Sequence, residues 1–332
     1  MATIRDVARR AGVSPATVSR VVNGLPGYTD ATRQRVERAL DELRYEPDTL
    51  ARGLKTRQSV VIGVLTPVVS DALTSEILRG VEAAAQNSGH TVMLGRSGPH
   101  AVLAPGYLRT FRTYRAAGVL LISVEITPEM RQTLGPGTPF VAVAIRDGRA
   151  FPSVAIDDEK AAYDGTRYLL GMGHRRIGCM GGDITSTLVN TPRLRGYTRA
   201  MREMGLTPVI AHGNSLYDSA PGALDELLAQ DPALTAVFAF SDEMAVATIN
   251  ELQQRGRSVP EDVSVLGFDN TRTAVHVNPA LTTVAQPLEL MGRLAVERIL
   301  TPGGPSVRVL AHRILERDSV ASVPAAGQRA FA

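Results

Sequence analysis

The sequence predicts a small all-helical head followed by a larger α/β core, on three observations. Excess positive charge is confined to the first 57 residues, a helix-turn-helix pattern occupies residues 3–23, and from Val60 onward short β-rich runs alternate with helical periodicity. With 332 residues the chain is more than twice a typical domain of about 150, so two or three domains are expected. A composition of 44% hydrophobic and 21% charged residues is globular and argues against a disordered or fibrous chain. The longest apolar runs, VVIGVL at 60–65 and GVLLI at 118–122, are strand-length, far short of the roughly 18 residues a membrane helix needs. The opening MATIRDVARR carries charges where a secretory signal needs an apolar stretch, so a cytoplasmic location is expected. A single cysteine, Cys179, excludes an internal disulfide framework and a cysteine-rich zinc site.

Overall net charge is +3, yet residues 1–57 carry 11 Lys and Arg against 7 Asp and Glu, a net of +4, while the remainder carries a net of −1. A basic head on a near-neutral body suits a module that meets a polyanion. In TIRDVARRAGVSPATVSRVVN, Ile4, Val7, Ala8 and Ala11 share one face of a first helix, which Gly12 ends. Ser14 is an N-cap, and Pro15 takes the first position of a second helix, where its missing N–H costs nothing. Val18, Val21 and Val22 form the buried stripe of that helix, so Ala16, Thr17 and Arg20 point elsewhere. A third helix runs from about Asp30 to Arg44 behind Thr29, burying Val36, Leu40 and Leu43.

This layout is that of a DNA-binding helix-turn-helix. Pro15, Ala16 and Thr17 start the second helix, whose small side chains let its end approach the major groove, and Arg20 can reach a guanine edge or a phosphate. Thr3, Ser14, Ser19, Asn23 and Tyr45 are candidate phosphate ligands that fix register without reading sequence. A helical bundle used for protein contact fits the same pattern.

The run from Thr3 to Asn23 closely resembles the DNA-binding head of the lactose/galactose-repressor (LacI/GalR) family, and YEPDTLARGLKTRQSVVIGVLTP resembles that family's hinge and first core strand. The likeness recurs over nearly the whole chain, in GHRRIG (173–178), RLRGY (193–197), SDEMA (241–245), VPEDVSVLGFDN (259–270) and PALTTVAQP (279–287). It implies a periplasmic-binding-protein-like core of two α/β subdomains, the chain crossing between them near Asp157, near Ala285 and close to the C-terminus. The expected boundaries are a head at 1–47, a hinge at 48–58 and a core at 59–332, with an N-subdomain of about 59–157 and 286–314 and a C-subdomain of about 158–285 and 315–325. The implied protein is a dimeric transcriptional repressor on a near-palindromic double-stranded DNA operator, controlled by a small effector such as a sugar or related metabolite.

In the hinge, Asp48 to Lys55 could form two helical turns with Asp48 as N-cap, a length that is marginal alone. By its place in the ARGL match, Leu54 would be the wedge that the family drives between base steps in the minor groove. Gly53 stands where many members carry serine, which makes this hinge more dependent on DNA for its order. A plain linker is the alternative.

Candidate core strands are Val60 to Leu65, Thr91 to Leu94, Val119 to Ile122, Phe140 to Ala144, Ile177 to Met180, Ala236 to Phe240 and Val263 to Phe268. Ligands of such folds bind beyond the carboxyl ends of the strands, which nominates Pro67 to Leu73, Arg146, Ser241, Asp242, Asp269 and Asn270. The resemblance implies that Arg193 holds effector hydroxyls or a carboxylate, that Asp269 accepts from sugar hydroxyls, and that Ser241, Gln286 and Tyr217 face the cleft. An interdomain salt bridge for Arg193 and a turn-forming role for Asp269 are the alternatives. Two departures stand out. Asp71-Ala72-Leu73 replaces the family's Asn-Pro-Phe/Tyr run, and Ala144 sits where Asp or Arg is common, with Arg146 and Asp147 just beyond.

No cofactor, no metal and no enzymatic chemistry are expected. GMGHRRIGCMGG lacks the strand-turn-helix setting of a dinucleotide site, His174 reads as a turn cap, and no P-loop or nucleophile elbow occurs. Asp157-Asp158 reads as a surface crossover. Helix Thr74 to Asn87 is the expected pairing surface of a homodimer, and the tail VASVPAAGQRAFA has no leucine heptads for a tetramerising coil. Two rival readings are a LacI-type regulator controlled by a partner protein and a solute receptor without DNA function.

Overall fold

The computed structural model describes residues 2–22, 24–45, 60–98, 101–146, 151–182, 187–301, 303 and 306–323. Asn23, Leu54, Asp147, the expected hinge at 48–58 and most of the tail lie outside the described residues. The chain divides into two units, Met1–Val60 and Val61–Ala332.

In the smaller unit each helix begins at a hydroxyl cap. Thr3 opens α1 (Ile4–Ala11) reciprocally: its Oγ1 accepts the Asp6 N–H at 3.3 Å, and the Asp6 carboxylate accepts the Thr3 N–H at 2.9 Å and its hydroxyl at 2.6 Å. Gly12, at φ +64°, ends that helix in the left-handed conformation glycine adopts without strain. Ser14 Oγ accepts the Thr17 N–H at 3.1 Å at the start of α2 (Pro15–Val22), and Thr29 caps α3 (Asp30–Glu42) through the Thr32 N–H. Val7, Ala8, Ala11, Val18, Val36 and Ala39 bury a common core, with Val21, Leu40, Leu43 and Tyr45 half-buried around it. An Arg10–Glu42 pair at 2.6 Å ties α1 to α3.

The larger unit contains two six-stranded sheets. β1 (Val61–Thr66), β2 (Thr91–Arg96), β3 (Gly118–Ile122), β4 (Phe140–Val143), β5 (Ser153–Ile156) and β11 (Val307–Leu310) form the first, all parallel, in the order β11-β5-β4-β3-β1-β2. β6 (Ile177–Gly181), β7 (Val209–His212), β8 (Ala236–Ala239), β9 (Ser264–Asp269), β10 (Thr282–Ala285) and β12 (Arg313–Leu315) form the second, ordered β12-β10-β9-β8-β6-β7. Only β12 runs antiparallel to its neighbour. The chain passes between sheets after Ile156, after Ala285 and between Leu310 and Arg313.

Helices α4 (Ala72–Asn87), α5 (Ala104–Thr113), α6 (Pro128–Leu134) and α12 (Leu288–Leu300) belong with the first sheet. Helices α7 (Asp158–Gly171), α8 (Thr187–Glu203), α9 (Ala220–Gln230), α10 (Asp242–Gln254) and α11 (Thr273–His276) belong with the second. Strands β1, β3, β5, β6, β8, β9 and β10 are buried throughout, as expected of parallel sheets covered on both faces.

All seven anticipated strands are present, though Ala144, at φ +57°, falls beyond the end of β4. Five further strands, β5, β7, β10, β11 and β12, have four residues or fewer, too short to show a period of two.

One face of α4 packs within the chain. Ile77, Gly80, Val81 and Ala85 are buried, and α4 crosses α12 with backbones in contact. A Cβ on Gly80 would lie 1.9 Å from the Glu289 carbonyl oxygen, and one on Gly292 would lie 2.2 Å from that of Ile77. Among the described residues no helix is long and apolar enough to cross a membrane, and no cluster of His, Cys, Asp and Glu could hold a metal ion.

Candidate functional site

In the head, burial of Val18 turns the opposite face of α2 to solvent. Pro15, Ala16 and Arg20 are exposed there, with Thr17 and Ser19 half-buried beside them. The exposed face carries small side chains at the start of the helix and the Arg20 guanidinium in its last turn, which suits a polyanion.

In the larger unit a cavity of about 400 Å³ opens where the carboxyl ends of the strands in both sheets converge. The loop after β1 contributes Asp71, the first turn of α4 contributes Leu73, α8 contributes Arg193, and the ends of β8 and β9 contribute Phe240, Ser241 and Asp269. Four lining residues, Ser123, Ala144, Ser215 and Asp269, have positive φ although none is glycine. Such backbone conformations cost of order 1–3 kcal/mol each and concentrate at ligand-binding sites.

Arg193 organises the floor. Its Nε donates to Asp158 Oδ1 at 2.8 Å, its Nη1 donates to the Phe240 carbonyl at 2.7 Å, and its Nη2 lies 4.0 Å from Asp269 Oδ1. The guanidinium also stacks 3.7 Å over the Phe268 ring. Burial pushes both carboxyls up, Asp158 above its ordinary range and Asp269 well above it, while Arg193 opposes the shift in each. Gln286 Nε2 donates to Asp269 Oδ1 at 2.7 Å from behind.

Contacts bridge the two sheets' sides of the cavity. Glu243 Oε1 in the first turn of α10 accepts the Ala72 N–H of α4 at 2.9 Å, and Glu125 Oε1 accepts the Leu188 N–H of α8, also at 2.9 Å. Each carboxylate therefore caps the start of a helix belonging to the opposite sheet, a favourable placement for a negative charge. Arg272 adds an ion pair to Glu76 at 3.3 Å.

Residues 3–48 match the family described as bacterial regulatory proteins, lacI family, and residues 166–320 match the periplasmic binding protein-like domain. Catabolite control protein A of Priestia megaterium is 36% identical over 329 residues, which cover 96% of this chain and 98% of the relative. The chain belongs to the LacI family. A transcriptional repressor PurR from Vibrio vulnificus is 37% identical over 307 residues, 90% of this chain and 91% of the relative. Among solved structures, a lac repressor dimer bound to operator and the anti-inducer ONPF matches with a TM-score of 0.87 at 26% identity, covering 96% of this chain and 99% of the other. A complex of the transcriptional regulator CelR with cellobiose matches with a TM-score of 0.71 at 32% identity, covering 96% and 100%. This LacI-family chain is accordingly a DNA-binding transcriptional repressor with an effector-binding core.

The LacI-family resemblance and the strand-end rule did not place every nominated residue in the cavity. Arg193, Asp269, Ser241 and Leu73 line it. Gln286 stands behind Asp269, and the Ser241 hydroxyl is already engaged, accepting the Met244 N–H and donating to the Ser215 carbonyl. Arg146 lines a neighbouring pocket, 3.7 Å from Asp157, and Tyr217 is exposed, its hydroxyl accepting from Asn250. Asp242 is fully buried as a pin between Thr271 and Thr283, and Asn270 accepts from Arg317.

Asp158 is no surface residue. It is the buried partner of Arg193, whereas Asp157 caps α7. His174, expected to cap a turn, instead bridges Thr235 and the Ala321 carbonyl. In the head, Thr3 and Ser14, expected on phosphate, use their hydroxyls as helix caps, and Tyr45 packs on the core. Glu243 and Glu125 were not anticipated; Glu243 lies inside the SDEMA run, where its position in the first turn of a helix is the only sequence signal.

Proposed function

We propose that this repressor binds a near-palindromic operator as a homodimer, with Pro15, Ala16, Thr17 and Arg20 of each head addressing the major groove and Leu54 wedging the minor groove. Thr3, Ser14, Ser19, Asn23 and Tyr45 set register along the backbone, two of them through helix caps that fix the N-termini facing the phosphates. The assembly works in the cytoplasm as a head at 1–47, a hinge at 48–58 and a two-lobed sensor beyond.

A small hydroxylated effector, a sugar or related metabolite, occupies the cavity between the lobes, contacting Asp269 and Arg193. The observation that carries this reading is the strained, partly apolar cavity whose floor holds Asp269 in place by Gln286 and Arg193. Binding shifts the population between two lobe orientations and so the pairing of the hinges. Lac repressor and CelR, the latter with cellobiose, are relatives whose structures support such a ligand class.

The test is fluorescence anisotropy on an operator selected from random duplexes, with and without a sugar panel. Sequence-specific binding that responds to a sugar in the wild type and not in Asp269→Asn supports the reading. Binding without sequence preference, or a response that survives in Asp269→Asn, refutes it.

A further inference from the structure

The two sides of the effector cavity each bring a carboxylate to it. Asp71 comes from the loop ahead of α4 and Glu243 from the first turn of α10, and Asp269 closes the floor between them. These carboxyl groups feel one another: Asp71 is pushed up to about 6 by burial, with Glu243 adding to the effect and two hydrogen bonds from Thr74 opposing it. Asp71 and Asp242 likewise add to the upward push on Asp269.

Among the described residues lining the cavity, positive charge is scarce. Of the two arginines there, Arg193 has its guanidinium engaged by Asp158, the Phe240 carbonyl and the Phe268 ring, while Arg96 is exposed at the end of edge strand β2. The remaining lining is largely apolar, including Val68, Leu73, Leu216 and Phe240. Hydroxyl and amine donors suit the carboxylate oxygens, whereas an anionic group would meet like charges in a space partly withdrawn from water, where they are weakly screened.

We propose that Asp71 and Glu243 form a charge filter that restricts the effector to uncharged or amine-bearing hydroxylated molecules and rejects phosphorylated or carboxylated ones. They are specificity-determining residues of the site assigned above, and the inference rests on that assignment. The departure of Asp71-Ala72-Leu73 from the family's Asn-Pro-Phe/Tyr run acquires a physical meaning here, because it supplies one of the two charges.

The test uses the full-length chain and matched probes: glucose, glucosamine and glucose 6-phosphate, and ribose with ribose 5-phosphate, titrated calorimetrically at low salt. The variant is Asp71→Asn/Glu243→Gln, which removes both charges while leaving an oxygen to accept the Thr74 and Ala72 N–H bonds. A cooperative thermal transition with a midpoint at or above that of the wild type establishes that the variant is folded.

In the wild type, at least one free or amino sugar binds tenfold or more tightly than its phosphate, and the double variant narrows that ratio to threefold or less. A phosphate ester that binds the wild type as tightly as its parent, or a ratio unchanged in the variant, overturns the filter while leaving the effector reading in place. Failure of every probe to bind either protein defeats the effector reading for these sugars and the filter with it.

Discussion

Arg193 and Asp158 form a buried ion pair, 2.8 Å apart with side chains only 6% and 5% exposed, that joins the middle of α8 to the start of α7. Removing one member leaves the other charge without compensation in the interior, which costs about 3–5 kcal/mol. Arg193→Ala should therefore lower the urea midpoint by a large margin as well as abolish the effector response, and a variant with unchanged stability would show the pair to be unimportant. Asp269→Asn keeps a carbonyl oxygen for Gln286 and is the cleaner probe of ligand contact.

Asp71 makes stability depend on pH in a direction opposite to most paired carboxylates. Its folded value of about 6 lies above its ordinary 3.8, so the folded chain holds the proton more tightly than the unfolded chain does. Its contribution is most favourable below pH 4 and is lost as pH rises through 6. Asp71→Asn, which can still cap α4, should be more stable than the wild type near pH 8 by about 1–3 kcal/mol. That advantage should shrink through pH 6 and vanish near pH 4. Chemical denaturation at three pH values measures it, and a pH-independent difference would contradict the burial of an ionised Asp71.

The α4–α12 crossing tolerates no side chain at two positions. Gly80→Ala and Gly292→Ala each drive a methyl group into a carbonyl oxygen of the facing helix, and the required separation should cost roughly 1–3 kcal/mol in either case. Gly222→Ala, where nothing lies within 4 Å of the added methyl, is the control and should be close to neutral. Equal denaturation midpoints for all three variants would mean the helices do not touch as described.

Thr3 should matter to the head in two separable ways. Thr3→Ala removes the hydroxyl half of the reciprocal cap, leaving the Thr3 N–H on the Asp6 carboxylate, and should destabilise α1 by about 0.5–2 kcal/mol, whereas Thr3→Ser retains the whole cap. If the serine variant restores both helix stability and operator affinity, the hydroxyl acts through the cap; if it restores stability alone, the threonine methyl contributes to the DNA contact.

Local features of this fold were legible wherever one residue type dictates one geometry. Gly12, Ser14 and Thr29 mark helix ends as read, and β1 and β3 announce themselves as unbroken apolar runs. β7, β10 and β12 carry too few residues to advertise a period. In the candidate site, Arg193 and Asp269 were nominated and line the cavity, but Arg146 and Tyr217 were nominated and do not, because a position in a motif does not fix where a side chain points. Asp158 was misread because its partner lies 35 residues away and only the packing of α7 on α8 brings them together. Glu243 and Glu125 escaped for the same reason, each meeting a backbone N–H on the far side of the cavity.

The sharing of strands between distant parts of the chain has a consequence for how the protein is made. Strands β1 to β5 have all been synthesised by Ile156, but their sheet waits for β11 at Val307–Leu310, and α4 waits for α12 to cover Gly80. At about 5–20 residues per second the interval is on the order of ten seconds or more, during which a finished set of strands and an apolar helix face stand uncovered on the ribosome. The head, whose described helices end at Glu42, needs nothing from later residues to close its own core. Translation thus delivers the folded reader of DNA well before either half of the sensor that governs it.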